Sequence, residues 1–242
     1  MSSVLEILQK SWNLYRRHFG LLGGYVSWLL LPYVGLVLVG FLPISITADV
    51  IAGLFLIAQI VLTVWIIVAL TLLIDYLFKK PVTKNILPKH FPEHAWKLIV
   101  PLLFVAAIAA LVTVGGLVLL IVPGLIFAIW FSFSQLSVIL EGKRGIKALY
   151  YSRELVRGRF WPVAWRVVAG PIVISLIYFF VTTVVVLLIA GITGSSGFFS
   201  DIEPPLWVDV VGSVIEIFTL PLYLIYFILL YEQVKKTKRS NS

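Results

Sequence analysis

Residues 98–140, LIVPLLFVAAIAALVTVGGLVLLIVPGLIFAIWFSFSQLSVIL, contain no charged side chain, and the number of times they cross a bilayer decides the fold. A membrane-spanning helix needs about 20 apolar residues to cover about 30 Å of hydrocarbon, so this stretch is one over-long helix or two ordinary ones. Proline disfavours helical geometry in the residue before it, and glycine readily turns, so Val122-Pro123-Gly124 reads as a tight turn between two passes. Charge parity tests this independently. Basic residues resist translocation, and a single pass would put the cluster at 143–166 on the side opposite the basic stretch at 79–97. Two passes put them together.

Outward from this hairpin, the chain divides into six spans at about 21–44, 50–74, 98–122, 124–140, 167–190 and 207–231. All 19 lysines and arginines then fall on one side, and the connections at 43–49, 122–124 and 191–207 contain none. The bias predicts a multi-pass protein of the cytoplasmic membrane with both termini in the cytoplasm. Trp12, Trp96, Trp161 and Trp165 fall near the cytoplasmic headgroups, where an aromatic belt is expected. Gly170-Pro171 predicts a kink in the fifth span. The stretch 191–207, with Gly194, Ser195, Ser196, Gly197 and Pro204-Pro205, reads as the substantial external loop.

Composition excludes other classes. Of 242 residues 61% are hydrophobic and only 12% charged, with a mean hydropathy of +1.07, so no charged skin for a soluble domain is available. The six spans leave no length for a soluble catalytic domain. A net charge of +8 and a pI near 9.7 suit nucleic acid in principle. The basic residues flank apolar spans, however, so anionic phospholipid headgroups are the expected partner and nucleic acid is not. There is no cysteine, which removes disulfides, thiolate metal sites and cysteine nucleophiles. The first span lacks a short apolar core with a small-residue cleavage site, so it is expected to remain as an anchor.

Two amphipathic stretches, about 3–19 and 144–158, suit helices lying in the cytoplasmic interface. A shift of 141 positions aligns Leu8, Ser11, Leu14, Arg16 and Phe19 with Leu149, Ser152, Leu155, Arg157 and Phe160. Helical spacing groups Leu8, Trp12, Tyr15 and Phe19 on one face of the first stretch. It groups Ile146, Leu149, Tyr150 and Val156 on one face of the second. A weaker third copy covers 91–97, although Pro88 and Pro92 make it a poor helix. Each unit is an interfacial segment, a helix out and a helix back, and the units run parallel, unlike inverted transporter repeats. The expected fold is all-α: a six-helix transmembrane bundle with cytoplasmic interfacial helices and parallel pseudo-repeats.

Few residues offer chemistry. Glu216 lies roughly 14 Å into the last span at 1.5 Å per residue, where ionisable groups are costly and mark function by default. Gln59 takes the matching place in the second span, since each stands sixteen residues before a terminal acid, Asp75 or Glu232. Gln135 lies nearer the cytoplasm in the fourth span. Two readings stand: a proton- or ligand-linked polar layer, with Gln59 and Glu216 sharing a hydrogen bond, or interhelical glue worth about 0.6–2 kcal/mol. Lys143, Arg144, Lys147, Arg153, Arg157 and Arg159 form the densest basic patch. Guanidinium groups bind phosphate bidentately, so this patch suits a phospholipid headgroup; ordinary positive-inside anchoring is the plainer account. His90 and His94 have metal-like spacing, but Pro92 lies between them and no third ligand is near, so neither metal nor cofactor is expected. Gly20 and Gly24 fit the small-xxx-small pattern of close helix approach. No catalytic triad, Walker loop or dinucleotide fingerprint is present.

The residues Val122-Pro123-Gly124, Trp130-Phe131-Ser132, Glu141-Gly142, Ala148-Leu149 and 152–161 (SRELVRGRFW) together resemble a known family. It is the six-helix membrane domain fused to some bacterial glycerophosphodiester phosphodiesterases, with related stand-alone prokaryotic membrane proteins. The likeness is sharpest over 120–165. It implies the six-helix fold and no catalytic residue, because the phosphodiesterase activity of the fused proteins belongs to a soluble barrel not found in this sequence. The expected function is non-enzymatic: membrane-lipid or envelope homeostasis, or scaffolding for an unknown protein partner through the basic face. The alternatives are a small transporter or channel using the Gln59/Glu216 layer, and an intramembrane lipid-modifying enzyme.

Overall fold

A computed structural model describes residues 2–43, 45–79, 91–194 and 205–239. Its elements are ten α-helices: α1 (Val4–Arg17), α2 (Phe19–Ser27), α3 (Leu30–Val39), α4 (Ile46–Lys79), α5 (Phe91–Leu119), α6 (Ile121–Phe131), α7 (Ser134–Glu141), α8 (Ile146–Val156), α9 (Phe160–Thr193) and α10 (Leu206–Arg239). Six spans long and apolar enough to cross a membrane result: α2 with α3, α4, α5, α6 with α7, α9 and α10. The expected all-α six-helix bundle is therefore present. Helices α4, α9 and α10 have 34 residues each, about 51 Å at 1.5 Å per residue. All three outrun a hydrocarbon layer of about 30 Å.

The bundle is organised around α10, which packs against α1, α2, α4, α8 and α9. Ile225, Tyr226, Ile228, Leu230, Tyr231 and Val234 are fully buried along it. A second cluster joins Val68 of α4, Ala95 and Val105 of α5, Val138 of α7 and Ala148 of α8. Lipid tails are as apolar as leucine, so burial alone does little to hold such helices together, and close packing must do more. Tyr226 shows how: its ring lies over Gly170 of α9, where any Cβ would overlap it, and its hydroxyl donates to the Arg166 carbonyl at 2.7 Å. The neighbouring Pro171 lies inside α9, which runs as one helix from Phe160 to Thr193. Gly35 of α3 leaves similar room for Phe55 of α4.

The hairpin in 98–140 is made, but its turn falls earlier than expected. Leu120 is extended (φ −158°, ψ 137°), and Pro123 sits in the first turn of α6. A proline there sacrifices nothing, because the first N–H groups of a helix have no intrahelical partner. Gly124 serves packing instead of turning: a Cβ on Gly116 would come 3.0 Å from the Gly124 Cα, and one on Gly124 would run into Leu117. The return span breaks again between α6 and α7. The buried Ser152 of α8 bridges that break, donating to the Trp130 carbonyl (2.6 Å) and accepting from the Phe133 N–H (3.1 Å).

Both amphipathic helices form, and the shift of 141 carries Ile7, Ser11 and Tyr15 of α1 onto Ala148, Ser152 and Val156 of α8, all buried. It also carries the first residue of α2, Phe19, onto the first of α9, Phe160. The buried faces differ from those expected. In α1, Ile7, Ser11 and Tyr15 face inward while Trp12 is 51% exposed; in α8, Ile146 and Tyr150 are exposed. The reason is docking. Helix α1 lies against α9 and α10, with the Tyr15 hydroxyl donating to the Phe218 carbonyl at 2.7 Å and Arg166 Nε donating to the Ser2 carbonyl at 2.9 Å. The third stretch forms no separate helix, since α5 runs unbroken from Phe91 to Leu119. Gly20 and Gly24 face open space, so the close approach expected there is absent; Gly23 lies against Phe218 instead.

Candidate functional site

The basic residues converge on α8 and the loop before it. Gly142 ends α7 at φ 64° and Gly145 precedes α8 at φ 55°, left-handed values that glycine adopts without strain. Between them Lys143 and Arg144 are held exposed, Lys143 Nζ lying 5.4 Å from the Tyr151 ring centre. Lys147, Arg153 and Arg157 are exposed on α8 and its end, and Arg159 is half-buried, with a buried Nη1 that makes no hydrogen bond. The acids of this region are already engaged. Glu154 accepts from Lys238 (3.4 Å) and Arg157 (3.5 Å), and the Lys238 hydrogen bond holds its carboxyl below the usual carboxylate range. Glu141 pairs with Lys235 of α10 and accepts from Tyr231. Among the described residues, Arg144, Lys147 and Arg153 have no acidic partner.

Arg153 is the best placed of these cations. Its guanidinium lies 4.5 Å from the Trp130 ring centre, a cation–π geometry that orients the charge without neutralising it. It lines an apolar groove of about 280 Å³ between α5, α6 and α8, together with Ile108, Val112, Phe127, Phe131 and Leu149. A cation lining a hydrocarbon-walled groove can take an anionic group and an apolar chain together. The Arg153–Trp130 pairing was not legible in sequence, because it joins two helices whose mutual rotation is set by the Ser152 bridge.

The intramembrane candidates separate into a pair and an outlier. Gln59 and Glu216 line one cavity of about 260 Å³ between α3, α4 and α10, with Tyr33, Thr63, Ser213 and Tyr223. Glu216 and Tyr223 also line a cleft of about 490 Å³ on the α9 side, with Ser175, Tyr178 and Thr219. The shared hydrogen bond expected between Gln59 and Glu216 does not form: Gln59 Oε1 is buried without a partner. Thr63 instead donates to the Gln59 carbonyl at 2.7 Å, and Ser175 and Tyr223 bond each other at 2.7 Å. Gln135 is exposed on α7 and lines neither space. His94 is exposed and forms no metal-holding group among the described residues; His90, with Pro88, Ser195, Ser196, Gly197 and Pro204, lies outside the described residues. No protein-family model, curated protein or solved structure matches the chain.

Proposed function

We propose that the protein is a non-enzymatic integral membrane protein that recognises anionic phospholipid at its basic end. Its role would lie in membrane-lipid or envelope homeostasis, or in scaffolding. The observation that carries this reading is Arg153, without an acidic partner and held over Trp130 in the lining of an apolar groove. Arg144 and Lys147 add long-range attraction, at about 1 kcal/mol per basic residue near a charged surface. The positive-inside bias supports the cytoplasmic membrane, with both termini facing the cytoplasm.

Native mass spectrometry of the protein extracted into mild detergent, titrated with phosphatidylglycerol and with phosphatidylcholine, tests the reading. Wild type should hold phosphatidylglycerol preferentially. Arg153→Ala should weaken that binding about 10-fold, the 1.5–3 kcal/mol of a hydrogen bond to a charged group being partly replaced by water. Equal retention of the two lipids by wild type, or unchanged binding by the variant, would sink it.

A further inference from the structure

The Gln59/Glu216 cavity is independent of the basic groove, and its acid has no cation beside it. The Thr63 hydroxyl proton goes to the Gln59 carbonyl, and the Ser175 and Tyr223 hydroxyls bond each other. Two acceptors are left over, Gln59 Oε1, buried and unpartnered, and the carboxyl of Glu216, which no described cation pairs with; the Tyr33 and Ser213 hydroxyls line the same space. An acid without a cation, beside an unpartnered amide oxygen, suits a ligand that brings N–H groups and positive charge. Two tyrosines, Tyr33 and Tyr223, line the same space, and aromatic rings favour a cation against their faces.

The route in is lateral. Glu216 is exposed, yet it stands ten residues from the start of α10, about 15 Å along the helix. Beside Gln59, Leu56 and Ile60 of α4 are 52% and 55% exposed, so the surface around the opening is one that faces hydrocarbon. A ligand reaching it must itself dissolve in the bilayer. The neighbouring cleft, about 490 Å³, falls in the size range of small-molecule sites, and the cavity it adjoins, about 260 Å³, lies just below that range.

We infer that this cavity binds the ammonium group of a lipophilic amine, with the Glu216 carboxylate as counter-ion and Gln59 Oε1 as hydrogen-bond acceptor. The acceptor pair sets specificity: a neutral alcohol of the same shape offers one donor and no charge, so it should bind poorly. This is a function separate from headgroup recognition at Arg153, and it suits a carrier or sensor of membrane-dissolved amines.

The test uses the purified full chain in nanodiscs, with dansyl-tagged dodecylamine as probe and the same tag on dodecanol as its neutral counterpart. Wild type should bind the amine at least 10-fold more tightly than the alcohol. Glu216→Gln should remove that preference, and Gln59→Leu should reduce it about threefold or more, with thermal midpoints reporting that each variant folds. Equal binding of amine and alcohol by wild type overturns the inference, whether or not Glu216→Gln folds. So does a Glu216→Gln variant that keeps the preference. A third overturning result is loss of a dimer on Glu216→Gln without amine binding by wild type, which would make the carboxyl an interface group between two copies of the chain.

Discussion

Replacing Gly170 with alanine should destabilise the protein, although alanine is the better helix former. A Cβ at this position of α9 would overlap the Tyr226 ring, whose residue is fully buried, leaving the ring no solvent to move into. Forcing an extra methyl into a packed interior costs about 1–3 kcal/mol. Displacing the ring also loosens the 2.7 Å hydrogen bond to the Arg166 carbonyl, worth about 0.5–1.5 kcal/mol. Against these stands about 0.5–1 kcal/mol gained from the glycine-to-alanine change in a helix interior. The net loss is about 1–3 kcal/mol. Thermal or denaturant unfolding in a fixed detergent would measure it, with Gly20→Ala and Gly24→Ala as comparisons, because a Cβ at either meets nothing within 4 Å. Those two should be neutral or mildly stabilising. In a Tyr226→Leu background the Gly170→Ala cost should largely vanish, since the overlapping ring is gone. If Gly170→Ala stabilises the wild type as much as Gly24→Ala does, close packing of Tyr226 on α9 is not what holds these helices together.

Ser152→Ala should cost about 1–3 kcal/mol by the same unfolding assay, because it leaves the buried Trp130 carbonyl and Phe133 N–H at the α6–α7 break without their bridge. Its counterpart Ser11→Ala should stay within about 0.5 kcal/mol, since that hydroxyl bonds only the Ile7 carbonyl of its own helix. Glu141→Gln should cost more than Glu154→Gln: the Glu141–Lys235 pair is mostly buried, while Glu154–Lys238 is 49% and 41% exposed and should contribute below about 1 kcal/mol. Because Glu154 titrates below the usual carboxylate range, its small contribution should be complete above that range and disappear as pH falls through its lowered value, a slope absent from Glu154→Gln unfolding curves.

The number of long apolar helices was legible from length and charge parity together, which resolve the local ambiguity in 98–140. The meeting of Gln59 and Glu216 was legible for a related reason. Both stand sixteen residues before an acid at the basic end of a long helix, and α4 and α10 pack together with equal lengths of 34 residues. Helix rotation was not legible. Trp12 and Ile7 are both apolar, and only the presence of α9 and α10 beside α1 decides which of them turns inward. The turn at Leu120 was misplaced because Pro-Gly reads as a break in isolation, whereas a helix start tolerates proline and a helix crossing exploits glycine. The Arg153 groove depends on three helices at once, and local spacing carries no trace of such an arrangement.

The seat of α1 imposes an order on biogenesis. Its inward residues Ile7, Ser11 and Tyr15 rest against α9 and α10, some 150–200 positions later in the chain, so the ribosome releases the plug long before it builds the socket. Until Phe218 emerges, an amphipathic helix bearing Lys10, Arg16 and Arg17 has to wait elsewhere, and the anionic membrane surface is the environment that suits it. Assembly would therefore finish with α1 lifting off the lipid to lock α10 in position.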